Sequence, residues 1–204
     1  MTQILLVRHG RTAWNPGDRF RGRADLDLDE VGVEQAEAAA RWIPRYNVAA
    51  VYSSPLRRAL RTAEILARPL GFEVRTLDGL IDIDFGDWEG LVPEEAARKD
   101  GELYKLWLNS PQKVRFPRGE GLQAVYDRVA VAVDEVIVGH PGEATAVVGH
   151  RVVCKVAALY LLGMDASCFW KVEQDVCAMS LFETRETQPP VALMINDTCH
   201  LRDE

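Results

Sequence analysis

The chain has few cysteines and no long apolar run. Its four cysteines, Cys154, Cys168, Cys177 and Cys199, show no CxxC spacing, which favours free thiols in a reducing cytoplasm over a disulfide framework. No apolar stretch reaches the length of a membrane span, and residues 1–8 are too short and wrongly flanked for a signal peptide. We therefore expect a cytoplasmic protein with no membrane partner. No metal-ligand cluster is visible, so neither a metal nor a cofactor is expected.

Length and charge limit the class of protein further. A chain of 204 residues can bury a sizeable core without disulfides or metals. No repeat, linker or low-complexity segment interrupts it, which predicts one domain over 1–204. The net charge of −7 argues against nucleic acid or an anionic membrane as a bulk partner.

The local charge near the N-terminus has the opposite sign. One acid, Asp18, stands among the arginines Arg8, Arg11, Arg19, Arg21 and Arg23. Arginine suits bidentate recognition of phosphate or carboxylate, so this loop favours a small anionic substrate. A solvated basic loop, in a chain that prefers arginine to lysine, explains the pattern equally simply.

Strand and helix patterns alternate along the chain, as in a parallel sheet with helical crossovers. Predicted strands are Ile4–Val7, Val48–Tyr52, Glu73–Leu77, Ala144–Val148, Val176–Glu183 and Val191–Ile195. A helix is predicted over Glu30–Ile43 with Asp29 as its cap, and a second begins with Ser54 as its cap and Pro55 at its first position. Further helices are predicted over Pro93–Lys99, Glu102–Leu108, Leu122–Val138 and Val152–Leu162. Residues 78–121 are rich in Gly, Pro and Trp and are expected to be an insertion that covers a site.

Two of the four histidines follow predicted strands directly. His9 comes after Ile4–Val7 and Arg8, and His150 comes after Ala144–Val148 and a glycine. Since the carboxyl ends of parallel strands lie on one edge, where ligands bind in such sheets, these two rings are expected to converge there. His140 is interpreted as a turn residue and His200 as solvent-exposed.

Two further arginines, Arg57 and Arg58, fall in the first turns of the helix after Pro55. Free backbone N–H groups at such a position already favour anions. The pattern alone leaves open which arginine faces the site, or whether the turn is simply a basic surface.

Taken together, these motifs resemble the histidine phosphatase superfamily, in the branch of cofactor-dependent phosphoglycerate mutases and related phosphatases. The resemblance covers nearly the whole chain. Its motifs are Arg8-His9-Gly10 with Thr12, Trp14 and Asn15; Gly22 to Asp25 leading to Gly32 and Gln35-Ala36; Ser53-Ser54-Pro55-Leu56 with Arg58-Ala59 and Thr62-Ala63; Phe85-Gly86 with Trp88-Glu89-Gly90; Gly119-Glu120 with Arg128-Val129; and Val148-Gly149-His150.

This resemblance implies a phosphoglycerate mutase-like α/β fold, a three-layer α/β/α sandwich around a mostly parallel sheet, and metal-independent phosphoryl transfer. His9 would accept the phosphoryl group, while Arg8, Arg58 and His150 would hold its oxygens. Substrate-binding positions by the same resemblance are Asn15, Arg21 and Gly22. The family motif that contains Arg58-Ala59 also favours Arg58 over Arg57 as the arginine that faces the site.

Two positions depart from the family pattern. The usual proton donor is a Glu in Leu-x-Glu-x-x-Phe-Gly, whereas Leu80-Ile81-Asp82-Ile83-Asp84-Phe85-Gly86 places Asp82 there, one methylene shorter. Asp82 is therefore the expected proton donor, with Asp84 as an alternative acid; the structural alternative is that Asp82 only caps a turn beside Gly86. Many relatives have Gly after the second histidine, but this chain has Arg151, either a substrate contact or an ordinary first-turn residue.

The function expected is a phosphomonoesterase that hydrolyses a small phosphorylated metabolite through a phosphohistidine intermediate. Two alternatives are a phosphoglycerate mutase and a non-catalytic phosphate-binding regulator, the latter favoured only by the Glu-to-Asp change. Sugar phosphates, phosphoserine, ribazole phosphate and phosphoglycerates all remain open as substrates. A small anionic phosphorylated substrate and a second copy in a homodimer are the expected partners.

Overall fold

Six strands form one mixed sheet in the computed structural model, which describes residues 1–185 and 187–202. They are β1 (Thr2–Arg8), β2 (Val48–Ser53), β3 (Val74–Thr76), β4 (Ala144–Gly149), β5 (Met179–Thr184) and β6 (Val191–Asp197). The order across the sheet is β3-β2-β4-β1-β5-β6. The first four in this order run parallel, and β5 is antiparallel to both of its neighbours.

Helices cover both faces of this sheet. They are α1 (Glu30–Trp42), α2 (Arg57–Ala67), α3 (Pro93–Lys99), α4 (Gly101–Asn109), α5 (Leu122–Gly139) and α6 (Arg151–Leu161). Alternate residues of β1 enter two separate cores. Leu5 and Val7 pack with α1 and α2, while Ile4 and Leu6 pack with α5 and α6. The predicted α/β sandwich around a mostly parallel sheet is therefore confirmed.

The caps explain where two helices begin. Asp29 accepts a 2.8 Å hydrogen bond from Gly32 N, so the predicted cap of α1 is confirmed. The predicted start of α2 at Pro55 is wrong, because the helix begins at Arg57 after an extended Leu56. Ser54 Oγ, its expected cap, lies 2.7 Å from His150 Nε2.

The fifth predicted strand and the last histidine need correction. The strand predicted from Val176 begins only at Met179, because Cys177 adopts a positive φ of 56° and turns the chain first. The interpretation of His200 as solvent-exposed is wrong. His200 lies in a short 3-10 turn over Cys199–Leu201, and only 6% of its surface is exposed. Its ring Nε2 lies 3.0 Å from Cys177 O. His140 does lie in the turn after α5.

Residues 78–121 connect β3 to α5 through 3-10 turns, α3 and α4. Their aromatic side chains Phe85, Trp88, Trp107 and Phe116 are buried against one another and against the α5–α6 core. Within the described part of the chain, all four cysteines are free thiols. No helix in that part combines the length and apolar character needed to cross a bilayer.

Candidate active site

The register between β1 and β4 brings the two predicted histidines together. Arg8 lies opposite Gly149, so the residues that follow, His9 and His150, leave the sheet side by side. His9 N donates a 2.9 Å hydrogen bond to Gly149 O. The two ring centroids are 5.3 Å apart. The convergence expected at the carboxyl edge of the sheet is thus present in the fold.

The tautomer of His9 follows from the one hydrogen bond that its ring makes among the described residues. Its Nδ1 lies 2.7 Å from Gly10 O, and because a carbonyl only accepts, Nδ1 carries the proton. Nε2 therefore keeps a free lone pair in a side chain that is almost fully buried and lines a cavity. Burial, followed by the charges of Arg58 and Arg8, lowers the pKa of His9 well below its usual value. A neutral ring with a free Nε2 is a competent nucleophile.

His150 has the opposite tautomer. Arg58 Nε lies 3.1 Å from His150 Nδ1, and a guanidinium only donates, so this nitrogen accepts. The proton then sits on Nε2 and is donated to Ser54 Oγ. Burial, followed by Arg58, lowers the pKa of His150 well below its usual value. Ser54 is a partner that sequence reasoning missed, since its cap-like position suggested a helix start.

Arg58 is the central cation of the site. It is completely buried, and its guanidinium also donates to Ala24 O, to Gly22 O and to Asp82 Oδ2, at 2.7, 2.9 and 3.0 Å. Arg57 instead lies on the surface and pairs with Asp25. The structure therefore places Arg58 in the site and Arg57 outside it.

Asp82 is buried and lines the same cavity as His9. Its Oδ2 contacts Arg58 and lies 3.7 Å from His150 Nδ1, while its Oδ1 accepts from Ile83 N at 3.0 Å. Burial raises the pKa of Asp82, although Arg58 opposes the shift. Asp84 is not part of this cavity, because its Oδ1 caps the turn at Gly86 N. The turn-capping role considered for Asp82 therefore belongs to Asp84.

An ion-pair network holds the backbone of Asp82. Arg128 donates to Gly79 O, Ile81 O and Asp82 O at 2.8, 2.6 and 3.2 Å. Arg23 Nε also donates to Asp82 O, at 3.0 Å. Glu120 pairs with both arginines, at 3.0 and 3.3 Å. The sequence motif contained Glu120 and Arg128, but only their packing reveals that they support the Asp82 loop.

Arg8 and Arg21 add two more buried cations. Arg8 Nη1 donates to Gln174 O at 2.8 Å, and its buried Nε has no partner among the described residues. Burial, together with the nearby Arg21 and Arg151, lowers the pKa of Arg8 to about 9. Burial likewise lowers the pKa of Arg21. So much positive charge at low dielectric favours a bound anion.

The remaining predicted residues occupy different places. Arg151 lines the cavity, 3.2 Å from Glu173 and 3.7 Å from Asp18. Gly22 has a φ of +51°, and a Cβ there would collide with the Glu89 carboxylate, so glycine is required. Asn15 does not line the cavity; its Oδ1 accepts from Thr12 N and Thr12 Oγ1, which closes the turn.

The cavity itself has a volume of about 260 Å³. Its polar and charged lining residues are His9, Asp18, Arg19, Arg21, Asp82 and Arg151. The rest is mostly apolar or aromatic and is formed by Phe20, Phe85, Pro93, Tyr104, Trp107, Leu108, Val152, Phe169 and Trp170. Six of the lining residues, Asp82, Phe85, Pro93, Tyr104, Trp107 and Leu108, come from segment 78–121. Among the described residues, no group of three or more His, Cys, Asp or Glu is arranged to hold a metal ion.

Comparison with known proteins points to one family. The sequence profile of the histidine phosphatase superfamily (branch 1) matches residues 4–198. Phosphoserine phosphatase 1 of Hydrogenobacter thermophilus is 38% identical over 201 residues, which are 98% of this chain and 95% of that protein.

Two solved structures show the same likeness in three dimensions. A mutant phosphoserine phosphatase of Entamoeba histolytica, in complex with phosphoserine, superimposes with a TM-score of 0.89 at 30% identity, covering 99% of this chain and 100% of the other. Bacillus stearothermophilus YhfR gives a TM-score of 0.91 at 27% identity with the same coverage. The likeness therefore extends over the sheet, both helical layers and the segment that lines the cavity.

Proposed function

Because this chain belongs to the histidine phosphatase superfamily (branch 1) and is a histidine phosphatase acting on small phosphorylated metabolites, we propose that phosphoserine is its substrate and His9 its nucleophile. The expectation of a phosphatase is confirmed by these relatives. The observation that carries the proposed site is the buried cluster of His9, His150, Arg58 and Asp82 at the end of β1 and β4.

The proposed first step is attack by His9 Nε2 on the phosphorus of the ester. A new N–P bond forms as the ester O–P bond breaks, which leaves the phosphoryl group on His9. The Nδ1–H bond to Gly10 O supports this role, because it fixes the ring orientation and stabilises the positive charge that the ring gains. The lowered pKa of His9 keeps the ring unprotonated before substrate binds.

Arg58, Arg8, Arg21 and His150 are proposed to hold the phosphoryl oxygens. Phosphoryl transfer depends chiefly on positioning and on stabilising the charge of these oxygens. Three buried or nearly buried guanidinium groups around His9 supply that charge. His150 can offer the proton on Nε2 by exchanging its bond to Ser54 for one to a phosphoryl oxygen. Gly22 and Asn15 are proposed to shape the surrounding loop.

Asp82 is the proposed proton donor. The leaving alkoxide must take up a proton, and the raised pKa of Asp82 favours the protonated form needed for this. A bound phosphate dianion would raise that pKa further by like-charge repulsion. In the second step the Asp82 carboxylate accepts a proton from water as the water oxygen attacks phosphorus, which releases phosphate and restores His9.

Phosphoserine fits the charged residues around the cavity. Arg151 and Arg19 line it and offer guanidinium groups for a carboxylate, and Asp18, which also lines it, offers a carboxylate for an ammonium. Similarity to phosphoserine phosphatases, at 38% identity over 98% of the chain, supports this choice.

A second substrate class is favoured by a different observation. Much of the cavity is aromatic, with Phe20, Tyr104, Trp107 and Trp170 among its walls. Such a surface binds apolar groups better than it binds a small zwitterion. We therefore propose a phosphomonoester with an aromatic or long alkyl group as the alternative substrate.

Three further expectations belong to this proposal. One domain over 1–204, covered at the site by 78–121, is supported by the six residues of that segment in the cavity wall. A cytoplasmic location is supported by the free thiols of the described chain. The homodimer expected from the sequence stays a prediction, and size-exclusion chromatography with light scattering would test it.

A panel of esters tests the substrate. We would measure kcat/KM for phosphoserine, 3-phosphoglycerate, phenyl phosphate and 1-naphthyl phosphate by release of free phosphate. The highest value for phosphoserine is expected, whereas the highest value for the naphthyl ester would establish the alternative. With 3-phosphoglycerate and a bisphosphoglycerate primer, formation of 2-phosphoglycerate faster than free phosphate would show a mutase and overturn the hydrolase mechanism.

A further inference from the structure

Lys155 is a buried cation that the mechanism above does not use. It lies on α6, four residues after Arg151, and its side chain is 0% exposed. Its Nζ has no hydrogen-bond partner among the described residues. Taking an ammonium out of water without a hydrogen bond is unfavourable, so an apolar side chain would suit this position better for stability alone. The contacts of Nζ therefore indicate what the charge does.

The ammonium contacts the faces of two aromatic rings. Nζ lies 4.3 Å from the ring centroid of Phe169 and 4.4 Å from that of Trp170. The two rings stand nearly perpendicular, at 78°. Cation–π attraction is strongest where the cation is desolvated, as Lys155 is. Both rings line the active-site cavity whereas Lys155 does not, so the ammonium holds this wall from outside the cavity.

Glu173 connects the same ammonium to a cation of the cavity. Its Oε1 lies 3.7 Å from Lys155 Nζ, and its Oε2 lies 3.2 Å from Arg151 Nη2. The Glu173 side chain is 53% exposed, so its pair with Arg151 alone would be weak and mobile. A second, buried cation on the other oxygen orients the carboxylate and with it the Arg151 guanidinium.

We propose that Lys155 is a positioning residue for the leaving group of the ester, which fixes Phe169 and Trp170 directly and Arg151 through Glu173. The inference rests on the proposed function in one respect, that the leaving group occupies this part of the cavity. The phosphoryl group is held elsewhere, by His9 and the buried arginines. Lys155 therefore acts on how firmly the ester binds and not on the bond that breaks.

The charge needed for this role is present at neutral pH. Burial lowers the pKa of Lys155 to about 8, and Glu173 opposes the shift. The ammonium is thus the main form below that pH.

Lys155→Met tests the role of the charge, because it keeps the length of the side chain and removes the ammonium. KM for the preferred ester should rise about tenfold, while kcat changes less than about twofold. Lys155→Arg should recover most of the loss. Lys171→Met, at an exposed lysine beside the same wall, is the matched control and should leave both constants unchanged. An unchanged KM in Lys155→Met, or an equal fall of kcat on every ester, would overturn the proposal.

Glu173→Gln tests the route to Arg151 and keeps the proposal testable if Lys155→Met does not fold. KM should rise for esters that carry a carboxylate and stay unchanged for phenyl phosphate. In the double variant Lys155→Met/Glu173→Gln, the increase in KM, expressed as a free energy, should be smaller than the sum of the increases in the two single variants. No effect of Glu173→Gln, or full additivity, would refute this route. Should wild type not hydrolyse phosphoserine, the proposed substrate fails, and the same variants are compared on the ester that wild type hydrolyses best.

Discussion

Arg58 Nε donates a 3.1 Å hydrogen bond to His150 Nδ1, and this bond decides the protonation state of the second histidine. A guanidinium has no acceptor, so Nδ1 must lack a proton and the imidazole must be neutral. The lowered pKa of His150 agrees with this assignment. His150 therefore supplies a directed hydrogen-bond donor at Nε2, and the positive charge of the site comes from arginine.

The two adjacent arginines should differ sharply when replaced. Arg58→Met leaves Asp82 and His150 buried without their shared partner, and we expect a loss of about 3 kcal/mol in the free energy of unfolding together with loss of turnover. Arg57→Met removes only a surface pair with Asp25 and should cost less than about 1 kcal/mol. Urea unfolding and phosphate release would measure both. Equal losses in the two variants would contradict the central role of Arg58.

His9→Ala should abolish both turnover and the covalent intermediate. Rapid quenching without acid, after mixing with a labelled ester, should trap phosphate on wild type and none on the variant, because phosphohistidine is destroyed by acid. A label that persists in His9→Ala would assign the nucleophile to another residue. EDTA should leave the activity of wild type unchanged, and strong inhibition by it would count against the mechanism.

Asp82→Asn should separate esters by their leaving groups. Turnover of an alkyl phosphate should fall by about 10²–10⁴-fold, since its alkoxide needs a proton. Turnover of p-nitrophenyl phosphate should fall much less, because that leaving group is stable as an anion. Asp84→Asn is the matched control and should affect both esters equally, through the turn at Gly86. Equal losses on both esters in Asp82→Asn would point to a structural role instead.

Acidification should destabilise the protein through the two neutral histidines. The pKa of His9 and of His150 is lowered well below 6.5 in the fold, so the unfolded chain binds more protons as the pH falls below that value. Their stabilising contribution is complete above about pH 6.5 and falls by up to about 1.4 kcal/mol per pH unit for each ring below it. Asp82 acts in the opposite sense, because its pKa is raised in the fold.

Urea unfolding between about pH 7.5 and about pH 5.5 would measure this dependence. The free energy of unfolding should decrease on acidification in wild type, less steeply in His150→Asn and more steeply in Asp82→Asn. A free energy that increases on acidification, or a slope that these substitutions leave unchanged, would contradict the assignment of neutral histidines.

Local patterns were enough to predict most of the elements. Pro93–Lys99 has the predicted bounds, and the long helix Leu122–Gly139 ends one residue beyond the prediction. The strand before His9 and the strand before His150 were visible because each is a short apolar run buried on both faces, followed at once by polar residues. An error arose at a non-local contact: Ser54 Oγ accepts from His150 Nε2 as well as from Leu56 N, and the helix begins only at Arg57 and not at Pro55.

Local sequence is thus sufficient to predict the alternation of strands and helices, the cap at Asp29 and the placement of His9 and His150 at strand ends, because each depends on neighbours a few residues away. Packing between distant segments places β4 beside β1, so that the two rings meet. The same packing places Asp82 and not Asp84 in the cavity wall, buries His200 and sets Lys155 against two aromatic rings. These outcomes depend on packing between segments far apart in the chain, and no local periodicity encodes which partner a side chain meets there.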